Sequence, residues 1–277
     1  MLIISLSAIP ARFPKIGPIL DSLVNQTAQV DKILLYIPNS YRRFPDWDGS
    51  LPDVPKGVEI RRTDDDFGPA TKVLCAAKEF RDTDCDILFC DDDHIYAPGW
   101  AQSFLDLKPK HPGCVIAQGG FQAEAVAGGT AKRDLQPRAE RRWRVTDLDF
   151  QLRYLWQDLT NWSQRHELTA PPRRVFKLSG YVDVFEGYAG VLVQPQMFDE
   201  EFYDIPPVLW GVDDVWLSGM ITRRGIPIWL EGRLLDPRQA ESERHAPLAK
   251  SVIDGANRST ANREGVLYFR DQHGLWP

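Results

Sequence analysis

Hydrophobic positions in the first part of the chain form short continuous runs that alternate with helically spaced series. The continuous runs predict buried β-strands over residues 2–6, 33–37, 58–62 and 86–90. Between these runs, apolar residues recur three and four positions apart, which predicts helices over residues 15–25 and 69–80. Pro69 stands at a favoured first-turn position of the second helix. The alternation indicates an α/β fold with a doubly wound, mostly parallel central sheet flanked by helices.

The second part of the chain has a less regular pattern. Apolar runs predict strands over residues 115–117, 188–193 and 226–230. Helical spacing predicts helices over residues 148–162 and 212–221, and the second ends before Gly225, which suits a helix C-terminus. There is no internal repeat, and the pattern predicts a single domain over residues 1–277.

Composition narrows the classes of function. A net charge of −6 argues against general nucleic-acid binding, which needs a basic face to neutralise phosphates. The four cysteines lack CxxC and CxxH spacing, so they predict buried apolar side chains in a reducing compartment, not a zinc site or a disulfide framework. The apolar start of the chain lacks a basic leader and is too short to span a bilayer, and no run of about 18 apolar residues follows. We expect a cytoplasmic protein without a transmembrane segment, with peripheral membrane attachment as the alternative.

An acidic triplet, Asp91-Asp92-Asp93, follows the predicted strand over residues 86–90. Open parallel sheets bind ligands beyond the carboxyl ends of their strands. Because alternate residues of an extended chain point the same way, Asp91 and Asp93 are expected to project together and Asp92 away from them. Two converging carboxylates suit a hard divalent cation, Mg²⁺ or Mn²⁺, which would also neutralise a diphosphate. The alternative interpretation is a solvated acidic turn.

Four segments in sequence order favour the first interpretation. They are SLSAIPAR over residues 5–12, DDFGPATK over 65–72, FCDDDH over 89–94 and GVDDVWL over 211–217. Together they resemble the GT-A glycosyltransferases, particularly the family 2-like members. The resemblance implies a GT-A, Rossmann-like domain with a nucleotide-sugar-binding half over residues 1–118 and an acceptor-binding half over residues 119–277. It also implies a metal-dependent, inverting transfer of a sugar from a nucleotide-sugar donor to an acceptor hydroxyl.

The resemblance assigns donor-binding roles to Ser7, Arg12, Asp66, Lys72, Asp91 and Asp92. Arg12 would pair with a phosphate, or it is a solvated loop charge. Asp66 would bind the nucleotide base, with Asp64 and Asp65 as rivals, or it caps the helix that follows. Lys72 would neutralise one of these three aspartates, and Asp91 would meet the ribose.

The metal site implied by the resemblance holds Mn²⁺ or Mg²⁺ on Asp91 and Asp93. His245 lies where many GT-A enzymes carry a late histidine that completes the metal site. The alternative for His245 is an ordinary surface histidine.

A second acidic pair, Asp213-Asp214, lies at the start of the predicted helix over residues 212–221. In the family, a carboxylate at this place is the general base that takes the proton of the acceptor hydroxyl, an effect worth about 10²–10⁴-fold in rate. The family pattern favours Asp214 and leaves Asp213 as the N-cap, although either residue can serve. The alternative is that both carboxylates only complement the helix dipole.

Three aromatic residues and one basic stretch are further candidates for substrate contacts. Tyr188, Trp210 and Trp216 are candidates to stack on a sugar face, with core packing as the alternative. The basic stretch over residues 132–144 is a candidate lid or acceptor contact, or a solvated loop.

UDP is the expected nucleotide of the donor, with GDP and CMP as alternatives. The expected acceptor is a glycan, a lipid-linked molecule or a protein. Two other classes compete: a Mg²⁺-dependent phosphatase-type enzyme and a non-catalytic nucleotide-sugar-binding protein of the same fold.

Overall fold

Strands and α-helices alternate along the chain, as seen in a computed structural model that describes residues 1–129, 135–160, 171–240 and 258–277. In chain order the strands are β1 (Leu2–Ser7), β2 (Lys32–Pro38), β3 (Val58–Thr63), β4 (Asp86–Phe89), β5 (His94–Ile95), β6 (Val115–Ala117), β7 (Gly120–Phe121), β8 (Glu140–Arg141), β9 (Phe176–Leu178), β10 (Gly180–Tyr181), β11 (Val184–Phe185), β12 (Val191–Val193), β13 (Ile228–Leu230) and β14 (Arg238–Gln239). The α-helices are α1 (Gly17–Val24), α2 (Thr71–Glu79), α3 (Trp100–Leu107), α4 (Glu124–Ala127), α5 (Leu148–Thr160), α6 (Asp213–Arg223) and α7 (Arg258–His273).

Eight strands form one central sheet in the order β10-β13-β6-β12-β4-β1-β2-β3. β1 is parallel to its neighbours β2 and β4, β2 is parallel to β3, and β13 is parallel to β6. β12 runs antiparallel between β4 and β6, and β10 is antiparallel at the edge. The predicted α/β class with a mostly parallel central sheet is confirmed. Because β12 inserts beside β4, strands from the early and late parts of the chain share this sheet.

Helices cover both faces of the sheet because successive residues of each strand point to opposite sides. Ile3 of β1 packs among buried residues of α2, α6 and α7, whereas its neighbour Ile4 packs among residues of α1 and α3. Both side chains are fully buried, and burying such an aliphatic side chain contributes about 1.5–3 kcal/mol. This two-sided core fixes the ends of β1 and β4, where the candidate site lies.

The predicted strands and helices of the first part match the structure, with small shifts at their ends. α1 begins at Gly17 because the preceding residues, Pro10–Lys15, form a 3-10 helix that contains Pro14. α2 begins at Thr71, after a 3-10 turn over Gly68–Ala70.

Three helices, α3, α4 and α7, were not predicted, and β12 and β13 are shorter than predicted. α4 has only four residues and α7 is mostly polar, so neither gives a long apolar series, whereas α3 buries Trp100, Phe104 and Leu107 at helical spacing and could have been predicted. β12 covers Val191–Val193 and not residues 188–193, because Gly187–Ala189 forms a 3-10 turn and Gly190 has a φ of 107°. Residues 161 and 162, the predicted end of α5, lie outside the described residues.

Two sequence-based expectations concern membrane-spanning helices and the cysteines. Among the described residues, no helix has the length and apolar character needed to cross a membrane. The four cysteines are free, with Cys75, Cys85 and Cys90 buried and Cys114 half-buried. Their predicted role as small apolar side chains is confirmed for the three buried cysteines.

Candidate active site

A cavity of about 530 Å³ opens at the carboxyl ends of β1 and β4. Its lining contains Asp93 and all six residues to which donor-binding roles were assigned: Ser7, Arg12, Asp66, Lys72, Asp91 and Asp92. The lining also contains Asp213 from the first turn of α6, but Asp214 is not part of it. His245 lies outside the described residues. The fold therefore brings together residues from four separate segments of the sequence.

Arg12 is a buried cation beside the acidic triplet. It lies in the 3-10 helix that follows β1 and is only 5% exposed. Its guanidinium forms an ion pair with Asp92, and its Nη2 lies 3.1 Å from Asp93 Oδ2. Burial acts to lower the pKa of Arg12, but the charges of Asp92 and Asp93 outweigh it and raise that pKa. The alternative of a solvated loop charge is therefore wrong for Arg12.

Lys72 joins the acidic triplet to the second acidic pair. It lies in the first turn of α2, and its side chain is 4% exposed. Its Nζ is 2.5 Å from Asp91 Oδ1 and 2.8 Å from Asp213 Oδ2. Burial acts to lower the pKa of Lys72, but the charges of Asp213 and Asp91 raise it well above its ordinary value. Lys72 is thus a permanent cation shared by two carboxylates.

The acidic triplet does not continue the strand that precedes it. β4 ends at Phe89, and Asp92 and Asp93 lie in a turn. The alternation predicted from extended backbone therefore does not hold, because Asp92 and Asp93 share Arg12 while Asp91 pairs with Lys72. The side chains of Asp91, Asp92 and Asp93 are 27%, 7% and 14% exposed, respectively. Asp91 is thus the most open of the three to the cavity.

Burial and ion pairing set different protonation properties along the triplet. Burial raises the pKa of Asp92 to about 6, with Arg12 opposing the rise. Burial also acts to raise the pKa of Asp93, but the hydrogen bond and charge of His94, together with Arg12, hold it below its ordinary value. His94 Nδ1 lies 2.6 Å from Asp93 Oδ1, and the His94 ring packs against Tyr188 at 4.9 Å between centroids. Asp93 is therefore held ionised at neutral pH.

Asp213 and Asp214 have different environments. Val212 is the N-cap of α6, so the predicted N-cap role of Asp213 is wrong by one position: both aspartates lie in the first turn. Asp213 faces Lys72 and the cavity. Asp214 Oδ1 accepts a hydrogen bond from the backbone N–H of Gly187 at 2.9 Å. The geometry therefore brings Asp213, and not the favoured Asp214, to the cavity.

Asp66 is not the N-cap of α2, which is Ala70, but it holds the turn before that helix and lines the cavity. Its carboxylate accepts hydrogen bonds from the backbone N–H groups of Arg42 at 2.7 Å and Gly68 at 2.9 Å, so it stabilises the turn before α2. It also lines the cavity, whereas Asp64 and Asp65 do not. The expected pairing of Lys72 with this aspartate cluster is wrong, because Asp65 pairs with Lys78 and Lys72 lies among other carboxylates.

The three candidate stacking residues separate into two groups. Tyr188 and Trp210 line the cavity. Trp216 is 4% exposed and donates its indole N–H to the Phe202 carbonyl at 3.0 Å, so it belongs to the core.

Asp236 lines the cavity and was not predicted. Its carboxylate accepts a hydrogen bond from the Tyr188 hydroxyl at 3.1 Å, and burial raises its pKa. Asp236 follows β13, another strand of the sheet, by six residues. The rule that ligands bind beyond strand ends could have pointed to it.

The basic residues of the stretch over 132–144 lie in different environments in the fold. Arg138 pairs with the buried Asp183 at 2.8 Å, which makes it structural. Arg141 and Arg144 line the cavity, and Lys132 and Arg133 lie outside the described residues. A contact of Arg141 or Arg144 with an acceptor stays a prediction.

The structure changes the argument for a metal ion. In the described part of the chain, no three His, Cys, Asp or Glu side chains gather around a point that could hold a metal by themselves. The repulsion among the carboxylates is relieved by Arg12 and Lys72, so charge balance alone does not require a cation. The donor chemistry still fits, because Asp91 and Asp93 line the cavity, and Mg²⁺ or Mn²⁺ commonly takes one or two carboxylate ligands beside diphosphate and water.

Gly187 packs against Lys72 and Asp214, so a substitution there tests how tightly these side chains are packed. A Cβ at this position would lie 2.7 Å from Lys72 Nζ and 3.1 Å from Asp214 Oδ1. Because Lys72 is buried, its ammonium cannot move aside without losing a carboxylate. Gly187→Ala is expected to lower the free energy of unfolding by about 1–3 kcal/mol in urea denaturation. Gly17→Ala is the control, since a Cβ there meets nothing within 4 Å; equal losses in both variants would contradict this packing.

Comparisons with known proteins give a distant likeness. The chain matches no protein-family model and no curated protein sequence. Among solved structures, it is similar to S. aureus TarS 1–349, with 10% identity, a TM-score of 0.44 and coverage of 98% of this chain and 71% of that one. The same fragment in complex with UDP gives 11% identity, a TM-score of 0.44 and the same coverages, and longer S. aureus TarS gives 12%, 0.43, 99% and 43%. This likeness concerns the path of the chain only.

Proposed function

We propose that this chain is a glycosyltransferase that moves a sugar from a nucleoside-diphosphate donor, with UDP-sugar as the first candidate, to an acceptor hydroxyl. The observation that carries the proposal is the single cavity shared by the triplet Asp91-Asp92-Asp93, Lys72 and Asp213. It lies at the carboxyl edge of the parallel strands, where α/β proteins bind nucleotides. Such a transfer needs one set of charged groups to hold a diphosphate and a separate carboxylate to take a proton.

The side of the cavity next to β1 and α2 suits the nucleotide. Tyr41, Phe44 and Trp210 supply aromatic surface there, and Asp66 supplies a carboxylate. Aromatic faces stack on bases, and a carboxylate can accept hydrogen bonds from base or ribose. Lys72 and Arg12 neutralise part of the negative charge of the surrounding carboxylates, which lowers the cost of holding a diphosphate beside the triplet.

Asp91 and Asp93 would hold the divalent cation, Mn²⁺ or Mg²⁺. They are the two more exposed carboxylates of the triplet, and Asp93 is kept ionised by His94 and Arg12. When bound, the cation would neutralise charge on the departing diphosphate. Ligation by His245 stays a prediction, because that residue lies outside the described residues.

Asp213 is the carboxylate that we assign as general base. It lines the cavity, and it shares Lys72 with Asp91, so these three groups together keep a net negative charge. Asp214, which the sequence pattern favours, already accepts a hydrogen bond from Gly187 and does not line the cavity. A single displacement assisted by Asp213 would invert the anomeric centre, because it needs no covalent intermediate on the protein.

A thermal-shift screen of nucleotide sugars, each with and without Mn²⁺, tests the proposed function. We expect one nucleotide sugar to raise the unfolding temperature in the presence of Mn²⁺, because a ligand that binds only the folded state stabilises it. Release of the nucleoside diphosphate from that donor would then separate an enzyme from a non-catalytic binding protein. The proposal fails if no nucleotide sugar shifts the unfolding temperature, or if the bound donor is never turned over.

Asp93→Asn is expected to remove the Mn²⁺-dependent part of donor binding while the chain stays folded. Asparagine keeps the size of the side chain but loses the charge that a hard cation prefers. Titration calorimetry with UDP, with and without Mn²⁺, measures the effect. Asp53→Asn, at an exposed position away from the cavity, is the control. Unchanged Mn²⁺ dependence in the Asp93 variant would remove this residue from the metal site.

A further inference from the structure

Two arginines of the cavity lining, Arg144 and Arg173, lie over the ring of one buried phenylalanine, Phe150. The guanidinium carbon of Arg144 lies 4.9 Å from the centroid of this ring, and that of Arg173 lies 5.8 Å from it. Both distances are in the range of a cation–π contact. Phe150 itself lines the cavity, so the ring collects two positive charges at one part of the cavity wall.

No carboxylate among the described residues forms an ion pair with Arg144 or Arg173. The carboxylates of neighbouring segments pair with other arginines, since Glu186 Oε2 lies 3.5 Å from Arg141 Nη2 and Asp147 Oδ1 lies 3.4 Å from Arg142 Nη1. The Arg173 side chain does donate one hydrogen bond, from Nη2 to the Arg142 carbonyl at 2.8 Å. Two like charges over one ring repel each other, and an anion bound between them would relieve that repulsion.

A series of contacts leads from the acidic triplet to this pair of arginines. His94, which contacts Asp93, packs its ring against Tyr188 at 4.9 Å between centroids. The Tyr188 hydroxyl donates to Asp236 at 3.1 Å, and the backbone N–H of Asp236 donates to the Arg173 carbonyl at 2.8 Å. Along this wall of the cavity, Tyr188 and Asp236 therefore separate Arg173 from the triplet, where the donor diphosphate is assigned.

We propose that Arg144 and Arg173 form an anion-binding subsite that holds a phosphate group of the acceptor. The inference rests on the proposed function, because it assigns the acceptor side of the same cavity. A guanidinium group is always charged, and its planar set of N–H donors matches the oxygens of a phosphate. The donor diphosphate has its place at the triplet with the divalent cation, so the anion at the arginines comes from the other substrate. A neutral acceptor would leave both cations without a counter-charge.

Titration calorimetry with sodium sulfate tests the subsite, because sulfate is a tetrahedral dianion like phosphate and does not precipitate Mn²⁺. Sodium chloride keeps the ionic strength constant, since salt screens the attraction. We expect sulfate to bind the wild-type chain both alone and in the presence of UDP with Mn²⁺, because acceptor and donor must be bound together. Arg144→Gln with Arg173→Gln is expected to weaken sulfate binding on the order of tenfold or more and to leave UDP binding unchanged.

Arg174→Gln is the matched control, because Arg174 follows Arg173 in the sequence but is exposed and is not part of the cavity lining. Its affinity for sulfate should equal that of the wild type. Arg144→Gln alone, at an exposed position, should also weaken sulfate binding, and it keeps the test available if the double variant does not fold. Far-ultraviolet circular dichroism checks the folding of each variant.

Two kinds of result would overturn the inference. Sulfate that does not bind, or that binds the double variant as tightly as the wild type, would remove the subsite. Competition between sulfate and UDP, or loss of UDP binding in the double variant, would show that these arginines hold the donor diphosphate. The sulfate titration needs neither donor nor metal, so sulfate binding without any response to nucleotide sugars would instead contradict the proposed function.

Discussion

Asp213→Asn is expected to lower the rate of sugar transfer about 10²–10⁴-fold, the usual contribution of a positioned general base. Asparagine has nearly the same shape but cannot take the proton of the attacking hydroxyl. Donor binding should persist, because Arg12, Lys72 and the triplet are unchanged and Lys72 still pairs with Asp91 at 2.5 Å. The rate can be followed as UDP release from the donor, with water as acceptor until the natural acceptor is found. Calorimetry on the same variant reports the affinity for the donor.

Asp214→Asn is the matched control for this prediction. Its side-chain oxygen can still accept the hydrogen bond that Gly187 donates at 2.9 Å, so transfer should fall far less. Loss of transfer in the Asp214 variant, with an active Asp213 variant, would assign the base to Asp214, as the sequence pattern favours. A loss of donor binding in the Asp213 variant would make Asp213 a binding residue instead.

Lys72→Met is expected to lower the free energy of unfolding by about 3–5 kcal/mol, because removing one partner of a buried ion pair leaves uncompensated charge. Two carboxylates depend on Lys72: Asp213, whose side chain is 5% exposed, and Asp91, at 27%. Methionine preserves most of the side-chain volume, so the loss reports charge and not packing. Urea denaturation with far-ultraviolet circular dichroism measures it.

Lys78→Met in the same helix is the control. Lys78 pairs with Asp65 on the surface, and exposed pairs contribute about 1 kcal/mol or less. The double variant Lys72→Met with Asp213→Asn should recover part of the stability, because one of the two orphaned charges is then removed. Equal destabilisation by the two lysine variants would show that Lys72 does not neutralise a buried cluster.

The framework of the fold could be predicted from local patterns. The apolar runs at β1 and β4 and the helical spacing in α1 and α2 are strong because each element buries a continuous surface in the two-sided core. α7 was missed because it is mostly polar and buries few side chains, such as Val266 and Phe269. α3 differs, because Trp100, Phe104 and Leu107 are buried at helical spacing, so its sequence pattern was sufficient to predict it.

Many of the residues that line the cavity could be predicted from the sequence, but the ion pairs among them could not. The rule that ligands bind at strand ends pointed to Asp91, Asp92 and Asp93. The partners of Lys72 could not be predicted, because Asp213 is remote in sequence and only the packing of α6 against α2 brings the two together. The direction of Asp92 was predicted from extended backbone, but the chain leaves that conformation after Phe89.

We expect a nucleoside diphosphate to bind in the cavity at the carboxyl ends of β1 and β4. Crystals grown with UDP and Mn²⁺ test it most directly, since manganese can be located by its anomalous scattering. The expected result is a manganese peak at the carboxylates of Asp91 and Asp93, with the diphosphate beside Lys72. Ordered UDP and manganese at another place on the molecule, with this cavity empty, would contradict it.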